Sequence, residues 1–159
     1  IPLTSGMGRL FDAVSALLGF CRYQDYEGVA PMLLEAKALK VSEHKAFYEV
    51  SSLNGAEILK KIFEDNQSAE IKAMKFHNTI IELTCERILK YTQKYSCENV
   101  CFSGGCFQNR ILLRGLIKRL NKKVKLNLNR LVPTNDGGIA FGQVMMAKYF
   151  KERSAIDLF

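Results

Sequence analysis

The sequence predicts a helix-rich α/β domain, on two observations. From Glu98 onward the chain reads as strand, glycine-rich turn, helix, strand, glycine-rich turn, helix, the order that builds a parallel or mixed sheet with helices against it. Before Glu98 the apolar residues recur at three and four, the spacing of amphipathic helices. With 159 residues, 48% of them hydrophobic, residues 1–159 form one domain with room for a core.

The elements follow in order. Met7 to Gly19 carries Leu10, Phe11, Val14, Leu17 and Leu18 on one stripe and ends at a glycine, as helices often do. Tyr26 to Leu39 reads as a second helix, with Pro31 tolerable in its first turn. Lys45 to Ser51, KAFYEVS, has the aromatic and β-branched content of a short strand. Asn54 to Phe63 reads as a short helix. Ala69 to Lys94 reads as a long one, capped by Ser68, with Ile71, Met74, Ile81, Cys85, Ile88 and Leu89 in its stripe. Glu98 to Phe102 is a short apolar run expected to be a buried strand. A helix from Cys106 to Leu120, a strand at Val124 to Leu128 and a last helix from Gly138 to Phe150 complete the chain.

No apolar run approaches the ~20 residues that span a bilayer. The start, IPLTSGMGR, lacks the charged-then-apolar pattern of a secretory signal, so a cytoplasmic protein without a membrane partner is expected. The chain opens on Ile1 and enters an amphipathic segment at once, as a C-terminal piece of a larger protein would. Five cysteines, at 21, 85, 97, 101 and 106, lack zinc-knuckle spacing and read as reduced structural thiols, Cys101 inside the buried strand. Net charge is +7, densest at Lys118, Arg119, Lys122, Lys123 and Lys125. No aromatic residues alternate with these cations as a base-stacking platform requires, so a solvated face is favoured over a nucleic-acid partner.

The two glycine corners carry the chemistry. SGGCFQNR (Ser103–Arg110) and PTNDGGIAFGQ (Pro133–Gln143) both fall where strands end and helices begin, the place where α/β folds collect anionic ligands. Gly104 and Gly105 would let a nucleotide lie against bare backbone, and Asn109, placed in the first turn of the next helix, offers an amide that donates and accepts. Two glycines in such a turn are also an ordinary structural device. Asp136 reads either as the cap of the last helix or as a hard oxygen ligand for a divalent metal. One carboxylate alone makes no metal site. Of the two histidines, His44 and His77, the second lies on the apolar stripe of the long helix and reads as a satisfied, partly buried core residue.

In this order and spacing, TSGMGRLFDAVSALLGF, YEGVAPMLLE, FHNTI, SGGCFQNRILL and PTNDGGIAFGQ resemble the C-terminal part of the HypF family of hydrogenase-maturation carbamoyltransferases, from Thr4 to Gln143. The resemblance implies the C-terminal lobe portion of an actin/sugar-kinase-like (ribonuclease H-like) ATPase domain, akin to the enzymes that make threonylcarbamoyladenosine in tRNA. It implies a carbamoyl group moving from carbamoyl phosphate, through ATP-derived carbamoyl-adenylate, to the C-terminal cysteine of a HypE-type hydrogenase maturation protein, where it becomes cyanide. It also implies nucleotide contacts at Asp12, Gly28, Gly104, Gly105 and Asn109, and Asp136 as one ligand of a divalent metal, iron or zinc, whose two histidines belong to a lobe this chain lacks. Asp12 reads alternatively as a polar residue on the outer face of the first helix. No HxxxH, acylphosphatase or zinc-finger segment occurs, so the rest of the parent chain is an expected partner, the isolated chain is expected to be inactive and metal-free, and no catalytic residue is assigned. Two other readings stay open: a tRNA threonylcarbamoyl transferase, against which Tyr26-Glu27-Gly28 and Asp136-Gly137-Gly138-Ile139 speak, and a non-catalytic nucleotide-binding or docking module.

Overall fold

The computed structural model describes residues 6–41 and 45–156. Helices α1 (Met7–Leu17), α2 (Val29–Ala38), α3 (Gly55–Glu64) and α4 (Ala69–Lys94) come first. Strand β1 (Asn99–Phe102), a 3-10 turn (Gly105–Gln108), α5 (Arg110–Leu120), β2 (Lys125–Leu128), a second 3-10 turn (Asp136–Gly138) and α6 (Ile139–Ile156) follow. β1 and β2 form a parallel pair in the register Asn99–Lys125 to Phe102–Leu128, with α5 as the crossover, so the helix-rich α/β class holds.

α4 is the spine, and α1, α2, α3 and α5 pack around or near it. Phe11, Leu34, Ile58, Ile62, Phe76, Ile80 and Leu116 are fully or almost fully buried between them. Ser68 Oγ accepts from Ile71 N–H at the start of α4, and Asn54 Oδ1 accepts from Ala56 and Glu57 N–H at the start of α3, each satisfying amides that the first helical turn leaves open. α5 approaches α4 at Gly115, where a Cβ would run into the Ile81 side chain.

Four expectations need correction. α2 starts at Val29, because Gly28 at φ 85° turns the chain out of the helix. Lys45 to Ser51 is no strand: Tyr48 N–H donates to Thr79 Oγ1 at 2.8 Å and Asn78 Nδ2 donates to Ala46 O at 3.0 Å, so side chains of α4 take the backbone groups that a neighbouring strand would have paired. Tyr48 OH donates to Asp65 at 2.8 Å and Lys75 pairs with the same carboxylate at 2.5 Å, which anchors the segment further. β1 is buried only at Phe102, and Cys101 points to the exposed face, leaving a parallel pair with one face open where such sheets are usually covered on both. Cys97 is exposed too, so neither thiol is a core residue.

α6 stands apart from this core. Every residue from 139 to 151 is exposed, including Phe141, Val144 and Met145 on one side and Ile139 and Met146 on another. Its main packing is against the second 3-10 turn. No helix is long and apolar enough to cross a membrane among the described residues.

Candidate functional site

The two glycine corners meet. Gly104 N–H donates to Thr134 O at 2.7 Å, joining the end of β1 to the loop after β2. Gly104 has φ 112° and ψ 156°, a conformation open in practice only to glycine. Gly105 is different: its φ is not in the left-handed range, and a Cβ built on it would have no neighbour within 4 Å. Among the described residues neither strain nor crowding requires glycine there. Behind the turn, the Phe102 and Phe107 rings stack with centroids 4.8 Å apart, fixing the 3-10 turn on the end of β1.

Asn109 is the N-cap of α5 and not a first-turn residue. Its side chain is almost wholly buried; Oδ1 accepts from Leu112 N–H at 2.9 Å and Nδ2 meets His77 Nε2 at 2.9 Å. One hydrogen on Nδ2 remains. The neighbouring Arg110 N–H donates to Glu35 Oε1 at 2.8 Å, so α2 caps α5 from the other side. His77 is fully buried, not partly as expected, and its Nδ1 lies 2.8 Å from Ala73 O. Burial pushes its imidazole down to about 4, outweighing the carbonyl's preference for the charged ring. His44 lies outside the described residues.

α1 closes the same corner. It packs on the first 3-10 turn, with a Gly8 Cβ position 4.0 Å from Cys106 Sγ. Asp12 is paired with Arg9 at 3.0 Å and is only 21% exposed, so it is not a free residue on the outer face. Burial, and secondarily the nearby Asp12 charge, push the Cys106 thiol pKa up, which makes Cys106 a poor nucleophile. Asp12, Gly104, Gly105, Cys106, Asn109 and Thr134 are therefore gathered at one place. Gly28 stands at the start of α2, two turns before Glu35.

At the second corner Asn135 caps the 3-10 turn that leads into α6: its Oδ1 accepts from Gly137 N–H at 3.2 Å. Asp136 opens the 3-10 turn, exposed. No three His, Cys, Asp or Glu side chains converge on a possible metal among the described residues, so the residues in hand do not fit a complete metal site. Two grooves, of about 330 Å³ and 220 Å³, run along α4 beside Leu83 and Glu86, and neither is lined by residues of the glycine corners. Sequence reasoning located both corners but missed Glu35, Thr134 and the His77–Asn109 pair. The partners lie 75, 30 and 32 positions apart (110 − 35, 134 − 104, 109 − 77), and no local pattern signals them.

Residues 1–143 match the family described as the carbamoyltransferase, Kae1-like domain, second subdomain. The chain is 36% identical over 155 residues to carbamoyltransferase HypF of Synechocystis, covering 91% of this chain and 19% of that protein. It is 34% identical over 151 residues to carbamoyltransferase HypF of Rhizobium leguminosarum bv. viciae, covering 92% and 20%. Among solved structures, full-length HypF in the phosphate- and nucleotide-bound form superposes with a TM-score of 0.85 at 36% identity, over 92% of this chain and 20% of that one. T. kodakarensis HypF superposes at 0.84 with 24% identity, over 93% and 20%, a likeness of fold. The chain thus spans about a fifth of the length of these relatives.

Proposed function

The chain belongs to the carbamoyltransferase HypF family, as the second subdomain of its Kae1-like domain, and from that premise we propose that its joined glycine corners form one wall of a nucleotide site in a longer, cytoplasmic carbamoyltransferase. The observation that carries the reading is Gly105, an exposed glycine just past the end of a strand that neither strain nor crowding requires among the described residues. A nucleotide lying against that backbone accounts for the missing Cβ. In this reading the adenosine of ATP or carbamoyl-adenylate rests on Gly104 and Gly105, Asp12 accepts from ribose hydroxyls, Asn109 offers its remaining amide hydrogen, and Gly28 keeps α2 clear of the ligand.

The substrate chemistry is carbamoyl transfer. The C-terminal cysteine thiolate of a HypE-type hydrogenase maturation protein attacks the carbamoyl carbon of carbamoyl-adenylate, the bond to the phosphate oxygen breaks and AMP leaves. Asp136 gives one oxygen ligand to a divalent metal, iron or zinc, with the other ligands supplied from outside this chain. The rest of the parent chain covers α6 and the open sheet face. The exposed apolar residues of α6 support this, as does Gly142, a mid-helix glycine with nothing within 4 Å of its Cβ position, since an exposed helical glycine costs ~1 kcal/mol against alanine unless something packs on it.

The test is intact-mass analysis of the HypE-type partner after incubation with carbamoyl phosphate and ATP. The full-length protein containing this chain is expected to carbamoylate the C-terminal cysteine, and the 159-residue chain to leave it unmodified. No modification by the full-length protein, or turnover by the isolated chain, would overturn the reading.

A further inference from the structure

We infer that His77 is a positioning residue for the nucleotide corner, acting through Asn109; the inference rests on the nucleotide reading above and names a residue that fixes the geometry of that site. Ala73 O can only accept, so His77 Nδ1, 2.8 Å away, carries the ring proton. The neutral ring then presents a lone pair at Nε2, and the group that faces it at 2.9 Å must be the NH₂ end of Asn109. That choice leaves Asn109 Oδ1 for Leu112 N–H at 2.9 Å. A chain of obligations thus runs from the backbone of α4 to the first turn of α5 and admits only one orientation of the Asn109 amide.

The ring itself cannot rotate away. It is fully buried, with the Phe11 ring edge-on at a centroid distance of 5.4 Å and Phe76 at 5.8 Å. Phe11 belongs to α1, next to Asp12, so the same histidine ties together the helix that carries Asp12, the long spine and the cap of α5. Unlike an ordinary core residue, His77 uses both ring nitrogens, and it uses one of them to orient the buried polar side chain at the SGG corner. The site's outer face is bare backbone, so its shape depends on how that backbone is held from behind.

The experiment is titration calorimetry of a non-hydrolysable ATP analogue with the full-length protein, comparing His77→Leu, His77→Gln, Asn109→Ser and His77→Leu/Asn109→Ser. Leucine fills the space without an acceptor, so binding is expected to weaken about tenfold, the scale of one unpaired buried amide hydrogen. Glutamine restores an acceptor and should bind within about threefold of wild type, well inside the loss expected for one such bond. Asn109→Ser keeps the cap oxygen but not the amide; if His77 acts through Asn109, adding His77→Leu to it costs nothing further in affinity. Hydrogen exchange at Leu112 should speed up in His77→Leu and not in His77→Gln. Wild-type affinity in folded His77→Leu, or additive losses in the double variant, overturns the inference. If His77→Leu fails to fold, a folded His77→Gln that binds as poorly as Asn109→Ser overturns it instead. If the wild-type protein binds no nucleotide, the nucleotide reading fails and this role falls with it, a result distinct from selective failure of the variants.

Discussion

The SGG and DGG corners share a sequence signature and owe it to opposite causes. At the first, Gly104 is demanded by backbone conformation, φ 112°, and Gly105 is demanded by nothing among the described residues. At the second, neither glycine has a positive φ, but a Cβ on Gly138 would stand 2.6 Å from Pro133 O and one on Gly137 would stand 3.2 Å from Asn135 Oδ1 and Pro133 Cγ. The second corner is therefore a packing device, whereas the first sets a conformationally required Gly104 beside an unconstrained Gly105. A pair of glycines does not announce a ligand; a glycine with neither strain nor neighbours is the one that asks for an explanation outside the fold.

The largest effect should come from pH, through the buried histidine behind the first corner. His77 is held near 4 in the folded chain, against 6.5 ordinarily. Above pH 6.5 it is neutral in both states. Between 6.5 and 4 the unfolded chain binds a proton that the folded chain does not, so stability falls as pH falls, by up to roughly 3 kcal/mol at the acid end. Denaturant titrations of the 159-residue chain across that window should show the loss, and His77→Gln should flatten it. Asp65 acts further into acid: burial opposes its charge, but Lys75, Gln67 N–H and Tyr48 OH lower its pKa below 3.8, so its contribution is present above 3.8 and lost as pH falls through the folded value.

Gly138→Ala should cost roughly 2 to 3 kcal/mol, because backbone and not a flexible side chain blocks the new methyl. A loss within error of zero in the same titration would remove the packing account of the second corner. Gly104→Ala should cost about 2 kcal/mol through conformation alone, there being no clash to relieve; a neutral result would mean the turn can be remade. At the small end, Asn135→Ala should cost about 1 kcal/mol while Asp136→Asn leaves the melting temperature unchanged, since Asn135 is the cap. In the full-length protein the same Asp136→Asn change is expected to lower metal content, and undiminished metal there would leave Asp136 without the role proposed for it.

Much of the fold was legible where the signal is local. The stripe of α4 and its cap at Ser68, and the order of strands and turns after Glu98, follow from spacing and side-chain type. The failures occur where a distant partner decides. KAFYEVS has strand chemistry, yet Thr79 and Asn78 of α4 take its backbone groups. α6 is readable as a helix, but its apolar residues circle it, and nothing in its periodicity tells that they lie exposed. At the site, the glycines marked both corners in advance, whereas the bond that joins them, Gly104 N–H to Thr134 O, and the histidine behind Asn109 depend on the packed chain.

One measurement tests the role of Gly105 directly: adenine-nucleotide affinity of Gly105→Val in the full-length protein, alongside its melting temperature. Open space around the position means the valine can be accommodated, so the melting temperature should barely move. The branched side chain would stand where a nucleotide must approach the backbone, and binding should be lost. A variant that folds and binds as tightly as wild type would contradict the assignment and move the nucleotide away from the SGG corner.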